Sequence, residues 1–192
     1  MQDTMSRDTR LALDLALTVR HDGHGGVADD LTTPAGLTAW LAAHPGLPGT
    51  DADLSAVREL RAAVRALFAH AVRPAAPSPA DAARLMPVPT ALDVLNTAAA
   101  RTPTVPALRW PEDTGPVVEH RPVHGAPDLT ALLAQAAVAF LAGPDLPRLR
   151  ACHAPRCVRY FLKDHPRQEW CTPSCGNRAR VARHHERHKQ AR

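Results

Sequence analysis

No cysteine occurs before position 152, and lysine is nearly missing: Lys163 and Lys189 stand against 21 arginines. A GC-rich genome produces the same arginine preference, so that bias alone says little about function. The longest apolar stretch, Leu129 to Ala142, is too short to span a bilayer and contains Gln135. Met1 to Thr9 is polar and lacks the apolar segment of a signal peptide. We therefore expect a cytoplasmic protein without membrane contact. There is no P-loop, no Gly-x-Ser-x-Gly, no His-Glu-x-x-His and no isolated carboxylate pair. No catalytic residue is assigned and no enzyme is expected; His120 and His124 read as surface histidines. No internal repeat is visible.

What is present is uneven. Residues 1–150 carry 13 Lys+Arg against 16 Asp+Glu, whereas residues 151–192 carry 10 against 3 and hold five of the eleven histidines. Four thiolates around one Zn²⁺ would bring the tail from +7 to about +5, so the asymmetry survives metal binding. A basic tail on a mildly acidic body points to a polyanionic partner for the tail. The hydrophobic fraction is 45%, as in globular chains, and the 19 prolines, about twice average usage, predict short helices and many turns.

Leu11, Leu15 and Val19 recur at helical spacing over Arg7–Arg20, ended by the glycine-rich stretch His21–Gly26. Thr33-Pro34 reads as an N-cap with proline at the first helical position, opening a short helix through Leu41. Asp53–Val72 is the clearest amphipathic helix. Leu54, Val57, Leu60, Val64, Leu67, Phe68 and Ala71 form its apolar face, with Arg58, Glu59, Arg61 and Arg65 expected off it. Ser78-Pro79 reads as another cap pair, leading two helical pieces interrupted by Pro87 and Pro89. Around Leu108–Trp110 and Val117–His120 the period shifts toward two, and the intervening Pro111–Gly115 supplies a turn, predicting a β-hairpin. Asp128 then caps a helix apolar nearly all round, expected at the centre of the N-terminal core and stopped by Gly143-Pro144.

All four cysteines fall in Cys152-x4-Cys157 and Cys171-x3-Cys175, thirteen residues apart. Two close pairs separated by a hairpin-length spacer suit a structural zinc site, in which each pair donates two sulfurs. Tyr160–Leu162 and Gln168–Trp170 are expected to be the hairpin strands, turning at Asp164-His165-Pro166, the second delivering Cys171. Thr172-Pro173 caps a helix, so Cys175 lies in its first turn with the positive end of the dipole toward the thiolates. Knuckle, hairpin and helix make a treble-clef-like module. Paired disulfides would need an oxidising compartment, and an all-cysteine shell leaves no open catalytic position.

On the helix that follows, Arg180, Arg183, His184 and Arg187 fall at i, i+3, i+4 and i+7 and share a face, opposed nearby by Glu186 alone. A nucleic acid backbone would relieve their repulsion and release counterions. Val181 and Ala182, with Arg178 and His185 near them, are expected to pack on the hairpin. Asn177 and Arg178, near the helix start, are placed either to fix the module or to make a first groove contact. The other readings are a solvated terminal helix, one docked on the acidic body, or a metal- or pH-responsive patch at His184, His185 and His188.

The run Trp170-Cys171-x3-Cys175-Gly176-Asn177-Arg178, with Cys152-x4-Cys157 and Tyr160-Phe161 before it, resembles the CGNR zinc finger. The likeness covers about residues 148–190. The preceding part is similar to the ABATE domain at Asp30–Pro34, Leu37–Leu41 and Leu60–Leu67. This resemblance implies a bacterial transcription regulator with a structural Zn²⁺ held by Cys152, Cys157, Cys171 and Cys175. It also implies DNA as partner, through Asn177, Arg178, Arg180, Arg183, His184 and Arg187. Two features depart from the family: Arg167 is followed by Gln168-Glu169 where arginines are usual, and Leu15–Thr18 lacks an expected aromatic and amide. The expected fold is mainly α (α+β). It comprises an N-terminal helical domain with a β-hairpin (1–147), serving a homodimer or an unknown small-molecule signal, and a C-terminal treble-clef-like zinc finger (148–192). The alternative is a protein- or RNA-interaction module without specific duplex binding.

Overall fold

A computed structural model of the chain describes residues 5–190 apart from 23, 25, 50–52, 114, 126 and 127. It is a mixed α+β fold. Helix α1 (Arg7–Leu17) begins where Ser6 accepts the Thr9 amide. It ends sooner than the apolar spacing predicts, because Thr18 closes the helix as its C-cap and the β-branched Val19 starts a strand. Strand β1 (Val19–His21) pairs antiparallel with β2 (Val27–Asp29). In the connection Asp22 accepts the amides of His24 and Gly26; Gly23 and Gly25 of the expected stop signal lie outside the described residues. Helix α2 (Pro34–Ala42) starts at the Thr33-Pro34 cap, as the sequence indicates.

Helix α3 (Leu54–Ala71) opens at the Asp53 cap and buries its apolar face, but Arg61 and Arg65 are buried with it, at 6% and 4% exposure. The expectation that they lie off the core fails because each meets an aspartate inside. Both oxygens of Asp29 accept from Arg61, at 2.5 and 2.7 Å, and both oxygens of Asp81 accept from Arg65, at 2.8 and 3.2 Å. Nor is Ser78 a helix cap. Its side chain is fully buried, the chain runs through successive turns to Arg84, and helix α4 is Val88–Ala100. Pro89 does not interrupt that helix, because it sits in the first turn, where a missing N–H costs no intrahelical bond.

Strands β3 (Thr104–Arg109) and β4 (Val117–Pro122) form the expected hairpin in six registered pairs; Thr114 of its turn lies outside the described residues. Helix α5 (Leu129–Leu141), capped by Asp128, packs against α1 and α4 with Leu129, Leu133 and Phe140 buried, though Val138 on its outer stripe is 38% exposed. A short 3-10 turn (Leu146–Arg148) leads to β5 (Leu149–Ala151), which pairs antiparallel with β6 (Tyr160–Leu162).

This last pairing corrects the expected zinc-module hairpin: Tyr160–Leu162 pairs backwards with 149–151, and Gln168–Trp170 forms no strand. The pleat then splits the ribbon between two clusters. Leu149, Ala151, Tyr160 and Leu162 join the main helical core. Phe161 instead joins Cys152, Ala154, Cys157 and Cys175 in a second, smaller cluster. Phe68 of α3 stands edge-to-face to Phe140 of α5 at 5.2 Å and to Tyr160 of β6 at 5.5 Å, tying the ribbon to the helices. Among the described residues no helix is long and apolar enough to cross a membrane.

Candidate metal centre

Four local devices bring the sulfurs together. Cys152 follows β5 directly and its amide donates to the Arg159 carbonyl at 2.9 Å, closing the strand pair. The chain then reverses through Ala154-Pro155-Arg156-Cys157, with the Cys157 amide on the Ala154 carbonyl at 2.9 Å. Pro155 takes the second position of this turn and Arg156, at φ 63°, the third, the signature of a type II turn. Cys171 arrives on an irregular segment and its amide points to the Cys152 sulfur at 3.5 Å. Cys175 lies in the first turn of α6 (Pro173–Gln190), where Thr172 caps its amide at 3.2 Å, as the Thr-Pro signal predicts.

The four Sγ atoms lie within 4.8 Å of one another, with Cys157 to Cys171 at 3.7 Å and Cys171 to Cys175 at 3.4 Å. These separations are too long for disulfides. They approach the edge of about 3.8 Å of a tetrahedron built on Zn–S bonds of about 2.3 Å. Three of the sulfurs belong to buried residues and Cys171 is half-buried. Without a cation the crowded group cannot ionise as a whole. Thiol hydrogen bonds from Cys157 and Cys171, with the Cys171 amide, hold Cys152 far below the ordinary thiol range. Donating to Cys152 pushes Cys157 up to about 11 and Cys171 higher still. A divalent cation resolves that conflict by supplying two positive charges, and the donor set suits one structural Zn²⁺.

Two residues of the helix start support the cluster. Arg178 donates from Nη2 to the Cys175 sulfur at 3.1 Å, and its buried Nε has no hydrogen-bond partner. Arg178 is thereby turned toward the sulfurs. Gly176 is buried against Trp170, whose Cδ1 would lie 3.1 Å from an added Cβ, so a side chain there would press the ring back by a few tenths of an ångström. The contact of Arg178 agrees with its expected place at the helix start as a residue that fixes the module, whereas the spacing of the motif carries no sign of Gly176 packing on Trp170.

Beyond this point α6 leaves the module. Ala179 is buried and Ala182 half-buried, while Arg180, Val181, Arg183, His184, His185, Arg187 and Lys189 are exposed. The inner face is thus Cys175, Gly176 and Ala179, and Val181, at 56% exposure, does not pack on the hairpin as expected; nor does His185. Asn177 is exposed and accepts from the Arg180 guanidinium. Arg183 lines a shallow hollow with Trp170, Glu169 and Glu186. His184 and His188 face each other, Nε2 to Nε2 at 3.2 Å. His120 and His124 are exposed, as expected.

Comparison with known families matches this architecture in two adjoining parts. The family model ABATE, described as "Putative stress-induced transcription regulator", covers residues 9–144, and the model "CGNR zinc finger" covers residues 148–188. Neither description is that of an enzyme. No curated protein matches the chain.

Proposed function

Because this chain belongs to the ABATE family and closes on a CGNR zinc finger, we propose that it is a DNA-binding regulator whose zinc module presents α6 to duplex DNA. The observation that carries this reading is the free part of α6. From Arg180 to Lys189 the helix carries Arg180, Arg183, Arg187 and Lys189 on an exposed surface, with Glu186 as its one carboxylate. None of those four cations is ion-paired among the described residues. Ten residues of helix reach about 15 Å at 1.5 Å each, enough to lie along a major groove about 12 Å wide. The metal centre supplies a rigid base for that projection and adds no chemistry of its own.

Roles divide along the helix. Arg180, His184 and Arg187 meet phosphates or base edges, Asn177 orients Arg180, and Arg183 contributes less because Glu169 and Glu186 share its hollow. Arg178 holds the module together and stays off the DNA. A single module of this size binds weakly, so two copies or a second contact surface complete the interface.

The test is duplex affinity measured across salt concentration, on sequences selected from random DNA. Replacing Arg180 and Arg187 together by alanine is expected to weaken binding and flatten the log–log salt slope by about two. An unchanged slope removes both residues from the interface. No duplex affinity even at low salt would favour a protein- or RNA-interaction module.

A further inference from the structure

A hollow of about 830 Å³ in the N-terminal part lies between the β1–β2 hairpin, α3 and the turns over residues 79–85. Its floor is made by Arg61 and Arg65. Both are already neutralised by bidentate pairing with Asp29 and Asp81, so neither invites a cation nor leaves a charge unanswered. The walls include apolar groups from Val19, Val27 and Leu85.

The groups left over are at the rim. Arg58 is 47% exposed and reaches Asp29 only at 3.8 Å. Arg84 is exposed and has no ion-pair partner among the described residues. The lining holds three carboxylates: Asp29 and Asp81, engaged by the floor arginines, and Glu59. A guanidinium held only at long range by Asp29, together with the exposed one of Arg84, over apolar walls suits an anion with an apolar body, since the fork matches a carboxylate or phosphate by paired hydrogen bonds. A volume of this size also falls in the range of small-molecule sites.

The floor has a second role. Arg65 bonds the carbonyl of Val158 at 3.1 Å, and Asp81 accepts the Tyr160 hydroxyl at 2.6 Å. Both partners belong to the zinc module, and Val158 directly follows Cys157. Whatever sits in the hollow therefore rests on the side chains that hold the metal knuckle in place.

We infer that this hollow binds a small organic anion, clamped by Arg58 and Arg84, and that its occupancy is passed to the zinc module through Arg65 and Asp81. This supplies a chemical class and a route for a signal, and it does not depend on DNA being the partner of α6.

The experiment titrates the full zinc-loaded chain with benzoate and, separately, with phenyl phosphate, followed by amide resonances in solution NMR. At least one probe is expected to saturate, shifting Arg58 and Arg84 together with the amides of Val158 to Tyr160. Arg58→Ala with Arg84→Ala is expected to weaken that probe at least tenfold, and Arg58→Lys alone to retain part of the affinity. Both side chains are exposed, so an otherwise unchanged spectrum will show that the variant is folded. Neither probe saturating, or an affinity indifferent to the double variant, overturns the site. Saturation without movement at residues 158–160 overturns the route to the zinc module. Each result stands apart from the DNA test, which reads α6 alone.

Discussion

Arg65 of α3 donates from Nη2 to the main-chain carbonyl of Val158 at 3.1 Å, joining the helical domain to the residue after a zinc ligand across 93 positions of sequence. The same guanidinium reaches the Ala16 carbonyl at 2.6 Å, Asp81 and the Ser78 hydroxyl, and lies 5.2 Å from the Tyr160 ring centre. Ser78 donates in turn to Val158 at 2.7 Å. A buried network satisfied at every member costs little to keep and much to break.

Arg65→Ala removes the counter-charge of the buried Asp81 carboxylate and the side-chain donor on the Ala16 carbonyl, leaving Asp81 only the Tyr160 hydroxyl and Val158 only Ser78. A loss of about 3–5 kcal/mol is expected in urea unfolding. Arg65→Lys recovers only part of it, because one ammonium cannot reproduce the planar fork. A loss below about 1 kcal/mol for the alanine variant would show that the network does not hold the two parts together.

Metal analysis of the purified chain should find about one zinc per molecule. Arg178 touches the sulfur of Cys175, and groups outside the ligand shell typically tune metal affinity by about 10- to 100-fold. Competition with a chelator should therefore show Arg178→Ala weaker by that factor, with stoichiometry unchanged. Equal affinity would remove Arg178 from the support of the metal. A fully folded chain carrying far less than one equivalent would overturn the metal centre itself.

Arg156 occupies the left-handed region at φ 63°, where a side chain costs roughly 1–2 kcal/mol and glycine nothing. Glycine's extra freedom in the unfolded chain returns part of that gain. Arg156→Gly is thus expected to leave stability unchanged or raise it by up to about 1 kcal/mol, whereas Arg156→Val lowers it. Thermal midpoints of the zinc-loaded forms decide; a clear loss for the glycine variant would assign the Arg156 side chain a role of its own.

Burial pushes the Asp29 carboxyl up. The hydrogen bond from Arg61, the Leu31 amide, and the charges of Arg61 and Arg58 outweigh it and hold the group below 3.8. A carboxylate lowered on folding adds stability that is present above its unfolded value and lost as pH falls through the folded one. Asp29→Asn should therefore be less stable near neutrality and lose less on acidification below about pH 4. Zinc release in acid is common to both proteins, so their difference isolates Asp29. Parallel acid limbs would remove Asp29 from the balance.

Local signals carried far. The caps at Thr33, Asp128 and Thr172 lie where their sequence places them, because a cap is an interaction over two or three residues. The β3–β4 hairpin was legible for a similar reason, its alternation and turn lying within nineteen residues. The strand partner of Tyr160–Leu162 was not. Two segments competed for that edge, and the choice fell to 149–151 because this register sends Tyr160 and Leu162 into the helical core.

The cysteine cluster stands on sequence alone: four soft ligands at these spacings have few other uses, and the structure brings all four sulfurs together. Arg61 and Arg65 stand at the opposite end. A periodic reading places an arginine at the surface by default, since burying its charge is prohibitive unless a carboxylate comes with it. Those carboxylates lie 32 and 16 positions away, on a strand and in a turn that only the assembled fold brings to α3. Sequence determined the metal centre and the start of α6, where chemistry and spacing act within a few turns. Tertiary structure alone decided how that centre is fastened to the helical domain, because the fastening is a set of buried charges that have no partners until the chain has closed around them.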